Sequence, residues 1–281
     1  MAFTALIDTA TLAAHVSAPT FAVIDCRYDL SDEGWGAREY AQGHIPGAVY
    51  ASLDRDLSGT RTGRNGRHPL PEPAALTTTF GRLGVADGVQ VVAYDQDSNI
   101  YASRLWWMLR WLGHNDVAVL DGGLAKWLAE NRPRRSGVET RAPRDFNGVP
   151  QAGRLMTADE TAGAAEGGRW RLLDARSPER FRGEQETFDR IAGHIPGAAN
   201  HFFKWNLNDD GTFRSPDEIR ERLRASIGDV SPDRVICYCG SGVTACQNLL
   251  AFEHAGLAGA RLFPGSWSEW TSDPSRPIEK G

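Results

Sequence analysis

The chain has 281 residues, 41% hydrophobic and 24% charged, with a net charge of -5. This is the composition of a globular protein with a full core; the acidic balance argues against bulk nucleic-acid binding, and no apolar run approaches the ~20 residues of a membrane span. Four cysteines, Cys26, Cys237, Cys239 and Cys246, are too few for a disulfide scaffold, and the N-terminus shows no basic-then-apolar leader, so a reducing, cytoplasmic setting is expected.

In chain order, FAVIDCR (21–27) and VQVVAY (89–94) read as short buried strands that end in polar residues. A helix is expected over Ser103–Leu112, where Trp106, Trp107 and Trp111 follow helical spacing, and a third strand at VAVLDGG (117–123). The pattern then restarts. RLLDAR (171–176) reads as a strand, and Ser215–Ser226 as a helix with Ser215 as N-cap, Pro216 at the first helical position and acids in the first turn. DRVICY (233–238), a helix over Val243–His254 and ARLFPGS (260–266) complete the series.

The restart is an internal repeat. VIDCRYDL…EYAQGHIPGAV in the first half answers LLDARSPERF…RIAGHIPGAA in the second, pairing Asp25 with Asp174, Arg27 with Arg176 and Gly43 with Gly193. VVAYDQDS answers VICYCGSG, and LDGGLAKWL answers FPGSWSEWT. The expected class is therefore α/β, with two tandem domains, each a mainly parallel sheet flanked by helices. The expected bounds are 1–136 for the first domain, 137–153 for a Pro/Gly/Arg-rich linker and 154–281 for the second.

Ligands in such sheets gather at the carboxyl ends of strands, which is where Cys239 falls. In CGSGVTA (239–245) the glycines let the backbone turn several N–H groups inward, and the helix start behind them adds partial positive charge. An anion at the centre of the loop is favoured, so Cys239 is expected to be held partly as thiolate, and a persulfide would be stabilised likewise. Gly240, Gly242, Val243 and Thr244 supply the cradle. Cys237 and Cys246 read as core residues of strand and helix, and C-x-C with one further cysteine lacks zinc spacing, so no metal is expected.

DAR…RFRG…GHIPG, then CGSGVTA and a closing GSW-x-EW, resemble the tandem-domain rhodanese-like sulfurtransferases, and CGSGVTA has the form typical of the 3-mercaptopyruvate sulfurtransferase type. The resemblance runs over nearly the whole chain and implies two rhodanese-like domains, only the second catalytic, with Cys239 as the persulfide-forming nucleophile. No cofactor is implied. Asp95 stands in the first half where Cys239 stands in the second; a carboxylate cannot carry sulfane sulfur, so the first copy is expected to be inert in this chemistry.

The resemblance also implies a donor. Thiosulfate users in the family carry cationic residues directly after the cysteine, whereas Gly240 and Ser241 are neutral, which favours 3-mercaptopyruvate over thiosulfate. The family's substrate arginine maps to Arg180, and a second one before GHIPG to Arg190, the nearest arginine where this chain is shorter. The implied acceptors are cyanide, a small thiol or thioredoxin. A serine–histidine–acid relay would use Ser241 and His44, with Asp32 or Glu33 in the region of the acid; the presence of His194 in the second GHIPG motif reads equally as scaffolding for both histidines. RTGRNGRHPLP (61–71), with Arg61, Arg64, Arg67 and His68, reads as a solvated loop or a source of positive potential for anions. A related cysteine phosphatase would need C-x5-R, and Ala245 stands where that arginine would be. A thiosulfate:cyanide sulfurtransferase and a persulfide carrier with little turnover are the alternatives.

Overall fold

A computed structural model of the chain describes residues 2–281. It resolves into two compact units. The first takes the chain up to Gly59, then Pro71–Gln151 and Asn208–Phe213; the second takes Thr60–Leu70, Ala152–Leu207 and Arg214–Gly281. Each half of the chain thus lends one short segment to the unit built mainly from the other half, an exchange that the tandem bounds drawn from sequence do not contain.

In the first unit, β1 (Leu6–Ile7), β2 (Phe21–Asp25), β3 (Val49–Tyr50), β4 (Gln90–Tyr94) and β5 (Val117–Leu120) form one sheet in the order β1-β5-β4-β2-β3. Helices α1 (Thr9–His15), α2 (Trp35–Gln42), α3 (Pro73–Arg82), α4 (Ile100–Trp111) and α5 (Gly123–Ala129) complete it. The second unit carries α6 (Ala158–Glu166), β6 (Arg171–Asp174), α7 (Pro178–Phe181), β7 (Ala199–Asn200), α8 (Pro216–Ile227), β8 (Val235–Tyr238), α9 (Thr244–His254), β9 (Arg261–Leu262) and α10 (Ser266–Trp270). Its sheet runs β7-β6-β8-β9, and a single parallel bridge from Leu155 to Leu262 stands where the first unit has β1. Every strand pairing in both sheets is parallel.

The central strands are apolar along most of their length because both of their faces are covered. All residues of β2, β4 and β8 are buried. Leu12, Tyr94 and Trp127 pack with β4 and β5 in one core, and Leu172, Ile236, Phe263, Trp267 and Trp270 form the other. Helix α8 begins as its sequence dictates, with Ser215 and Glu218 closing a reciprocal capping box behind Pro216. Among the described residues no helix is long and apolar enough to cross a membrane.

The repeated Asp-x-Arg and GHIPG motifs have a common structural cause. Arg27 Nη2 bridges Asp25 Oδ2 (2.7 Å) and the Gly43 carbonyl (2.8 Å); Arg176 Nη2 bridges Asp174 Oδ2 (2.6 Å) and the Gly193 carbonyl (2.7 Å). Each buried carboxylate thereby ties a strand end to the start of its GHIPG turn. The turn is held a second time where the Ile45 and Ile195 amides donate to the hydroxyls of Tyr94 and Tyr238, each at 3.2 Å. A buried charge needs such saturation, since an unpaired one would cost several kcal/mol.

Candidate active site

Cys239 leaves the carboxyl end of the central strand β8 and enters a tight loop before α9. The loop is held open by glycine at one position in particular: Gly242 has φ +77°, and a Cβ there would lie 2.1 Å from the Pro264 carbonyl oxygen. Its amide points inward and donates to Cys239 Sγ at 3.2 Å. No side chain caps α9, whose N-cap is Val243, so the first-turn amides at Thr244 and beyond stay open to an anion. Cys239 is itself only 2% exposed.

The other side of the loop hangs from the closing GSWSEW segment. The Trp267 amide donates to the Cys239 carbonyl (3.0 Å) and the Ser268 amide to the Gly240 carbonyl (2.9 Å). Ser266 Oγ accepts the Cys239 amide (3.1 Å) and donates to the Phe263 carbonyl (3.0 Å). Ser266 does this at φ +54°, a left-handed conformation uncommon outside glycine, at a cost of order 1 kcal/mol.

The remaining cysteines differ from Cys239 in surroundings. Burial pushes the Cys237 thiol well above its ordinary range, and does the same to Cys26, where Asp25 and Asp95 add repulsion. Cys246 Sγ lies inside α9 and contacts the Gly242 carbonyl at 3.3 Å.

The exchanged segment Thr60–Leu70 brings two further side chains to the loop. His68 Nδ1 lies 2.8 Å from Ser241 Oγ, and both residues are buried. The Arg67 amide donates to Ser268 Oγ at 3.0 Å, which locks the segment against the GSWSEW turn. The Arg67 and Arg180 guanidiniums both lie over Gly240: a Cβ there would meet Arg67 Nη2 at 2.9 Å and Arg180 Nη2 at 3.4 Å. Two carboxylates face this pair. Glu186 receives Arg180 Nη2 on both oxygens (2.8 and 2.9 Å), and Asp189 pairs with both Arg67 and Arg180, the latter at 3.4 Å. Burial raises the Glu186 carboxyl, but the bonds from Arg180 and the Phe188 amide outweigh it and leave it below its ordinary range. For Asp189 burial dominates and the carboxyl stays above its ordinary range despite Arg67.

The structure therefore brings together Cys239, Gly240, Ser241, Gly242, Val243, Thr244 and Arg180, as the sequence suggests. Arg190 is exposed; the second guanidinium that lies over Gly240 is that of Arg67. The imidazole that meets Ser241 is that of His68. His44 belongs to the first unit, where its Nδ1 is committed to the Tyr40 carbonyl (2.8 Å) and its ring stacks on Tyr40. His194 repeats that arrangement on Phe181, with Nδ1 2.8 Å from the Phe181 carbonyl. Asp32 pairs with Arg38 on the surface of the first unit, and Glu33 is exposed. One signal for His68 was present in the sequence: the first half spends more residues between Gly43 and Asp95 than the second does between Gly193 and Cys239, and the surplus falls around GRNGRHP.

Comparison with known proteins gives the family of the whole chain. The family model for the rhodanese-like domain matches residues 8–130 and 157–273. The chain is 46% identical over 278 residues to a protein of Pseudomonas aeruginosa named "Probable 3-mercaptopyruvate sulfurtransferase", covering 98% of each. It is 33% identical over 279 residues to the thiosulfate sulfurtransferase of Bos taurus, covering 95% of this chain and 92% of that one. Among solved structures, SseA from Escherichia coli, described with the mechanism of 3-mercaptopyruvate sulfotransferases, superposes with a TM-score of 0.82 at 31% identity, covering 94% of this chain and 99% of that one.

Proposed function

From a chain that belongs to the rhodanese-like domain family, in two tandem copies, we propose an enzyme that moves sulfane sulfur from 3-mercaptopyruvate to a thiol or cyanide through a persulfide on Cys239. The observation that carries this is the pairing of an inward Gly242 amide on Cys239 Sγ with the Arg67 and Arg180 guanidiniums over the neighbouring Gly240. One feature holds an anionic sulfur; the other holds a carboxylate.

In the proposed reaction the Cys239 thiolate attacks the mercapto sulfur. The carbon–sulfur bond breaks, and its electron pair leaves on carbon as the enolate of pyruvate. The proton carried by the mercapto group ends on the enolate carbon, so Cys239–S⁻ and the donor become Cys239–S–S⁻ and pyruvate. The Ser241 hydroxyl and His68 are suited to pass that proton, since they already share a 2.8 Å contact beside the cysteine. An acceptor thiolate or cyanide then attacks the outer sulfur and releases the Cys239 thiolate. In this proposal His68 takes the histidine role expected of His44. The acceptor in this proposal is a small thiol, thioredoxin or cyanide.

The two guanidiniums over Gly240 would also suit the dianion thiosulfate, which keeps that donor as the second reading. Pyruvate release from 3-mercaptopyruvate, and thiocyanate formation from thiosulfate, separate the two. We expect kcat/KM to favour 3-mercaptopyruvate; equal or better use of thiosulfate would overturn the donor assignment. Cys239→Ser is expected to abolish both reactions, with Cys237→Ser retaining most activity. Full activity in Cys239→Ser would overturn the persulfide mechanism itself.

A further inference from the structure

The arginine pair is not idle. Asp189 lies between Arg67 and Arg180 and pairs with both. Arg180 does not need Asp189 for its orientation, because Glu186 already grips it with both oxygens and through Nε at 3.2 Å. Arg67 is anchored through its backbone by Ser268, while its guanidinium is spent on Asp189. Both guanidiniums also lie over the Phe188 ring, at 5.8 and 5.0 Å from its centroid.

We propose that Asp189 is a built-in competitor for the donor's carboxylate: it occupies the Arg67–Arg180 pair and gives way when a keto-acid donor binds. The proposal rests on the reading of these arginines as the donor's anion site and adds a residue that sets its affinity. Three features make Asp189 the displaceable partner. Of the two carboxylates on Arg180 its bond is the longer, at 3.4 Å against 2.8 Å from Glu186, so that Arg67 is the one close partner it must leave. Its neighbours Thr187, Phe188 and Arg190 are exposed, so the Asp189 side chain can turn away from the pair while its amide stays on Glu186 Oε1 (3.2 Å). Burial opposes its charge there, which weakens its hold. A donor carboxylate offers Arg67 and Arg180 the same planar acceptor.

The test is Asp189→Asn, read in two ways. In steady state, KM for 3-mercaptopyruvate and the competitive inhibition constant of pyruvate are each expected to fall about fivefold, with kcat within about twofold. A rise in both constants, or no change, would overturn the proposal and make Asp189 a residue that merely props the arginines. Independently of sulfur transfer, the alkylation of Cys239 by anionic iodoacetate relative to neutral iodoacetamide is expected to rise about fivefold in the variant; an unchanged ratio counts against it. Because this ratio needs no turnover, a chain inactive on 3-mercaptopyruvate would sink the donor assignment while leaving the Asp189 claim testable. Should the variant fail to fold, a crystal structure of the unmodified chain with bound pyruvate decides: the Arg67–Asp189 pair is expected to be broken, and an intact pair overturns the proposal.

Discussion

The loops after β4 and after β8 are built alike and used differently. Each leaves the end of a central strand and reaches a helix start within a few residues, and each hangs from the next segment by the same two bonds. Leu124 and Ala125 donate to the carbonyls of Asp95 and Gln96, both at 2.9 Å, as Trp267 and Ser268 donate to those of Cys239 and Gly240. The difference lies at the centre. The Asp95 carboxylate accepts the amides of Asn99 (2.9 Å), Tyr101 (2.9 Å) and Ala102 (3.2 Å), so the helix start is saturated by the chain's own anion. In the second loop the equivalent place holds a sulfur that takes one amide, from Gly242.

The largest effect should come from making the loops identical at that position. Cys239→Asp is expected to lower pyruvate release by at least about 10³-fold while the protein stays folded, since the new carboxylate can take up the α9 amides as Asp95 takes up those of α4. Unfolding of the variant, read by thermal denaturation, would show that the two cradles are not equivalent.

A smaller effect concerns stability. Burial holds the Asp95 carboxyl up to about 6 from an ordinary 3.8, even with three amides on it. A carboxyl raised on folding contributes stability that is fully present below its unfolded value and is lost as pH rises through the folded one. The first unit should therefore weaken between about pH 4 and pH 6, by an amount on the order of 3 kcal/mol, and Asp95→Asn should flatten that slope. Denaturant unfolding of both proteins at half-unit steps of pH measures it; parallel curves would remove the linkage.

The smallest effect concerns the serine that replaces a glycine. Gly123 has φ +58° where Ser266 has φ +54°, and only Ser266 offers a hydroxyl to the loop amide. Ser266→Gly keeps the backbone comfortable and removes the acceptor on the Cys239 amide. We expect kcat to fall about tenfold with KM unchanged and stability to move by no more than about 1 kcal/mol. A KM effect without a kcat effect would show that Ser266 does not act through Cys239.

The residues that were legible beforehand share a property. Cys239, Gly242 and the neutral Gly240–Ser241 pair lie within one strand–turn–helix passage, and aligning that passage with its twin sets Asp95 at the place of Cys239. The strands β2, β4, β6 and β8 announced themselves as short apolar runs, and α8 through its Ser215 cap and Pro216. Arg180 rested on resemblance, and the structure sets it over Gly240. Arg67 and His68 were visible only as charge in a loop without periodicity, and histidine in GHIPG drew attention to His44 instead.

Features encoded over a few neighbouring residues, or repeated between the halves, were readable along the chain: the alternation of strands and helices, the doubled architecture and the place of Cys239 between a strand and a helix. The exchange of Thr60–Leu70 into the second unit emerges only in three dimensions; it sets His68 against a serine 173 positions away and Arg67 over the cysteine loop. The reason is that strand and helix signals arise from local sterics and periodic burial, whereas an irregular loop takes its place from contacts distant in the chain, here the Ser268 hydroxyl on the Arg67 amide and the close passage of Gly66 to the Gly265 carbonyl.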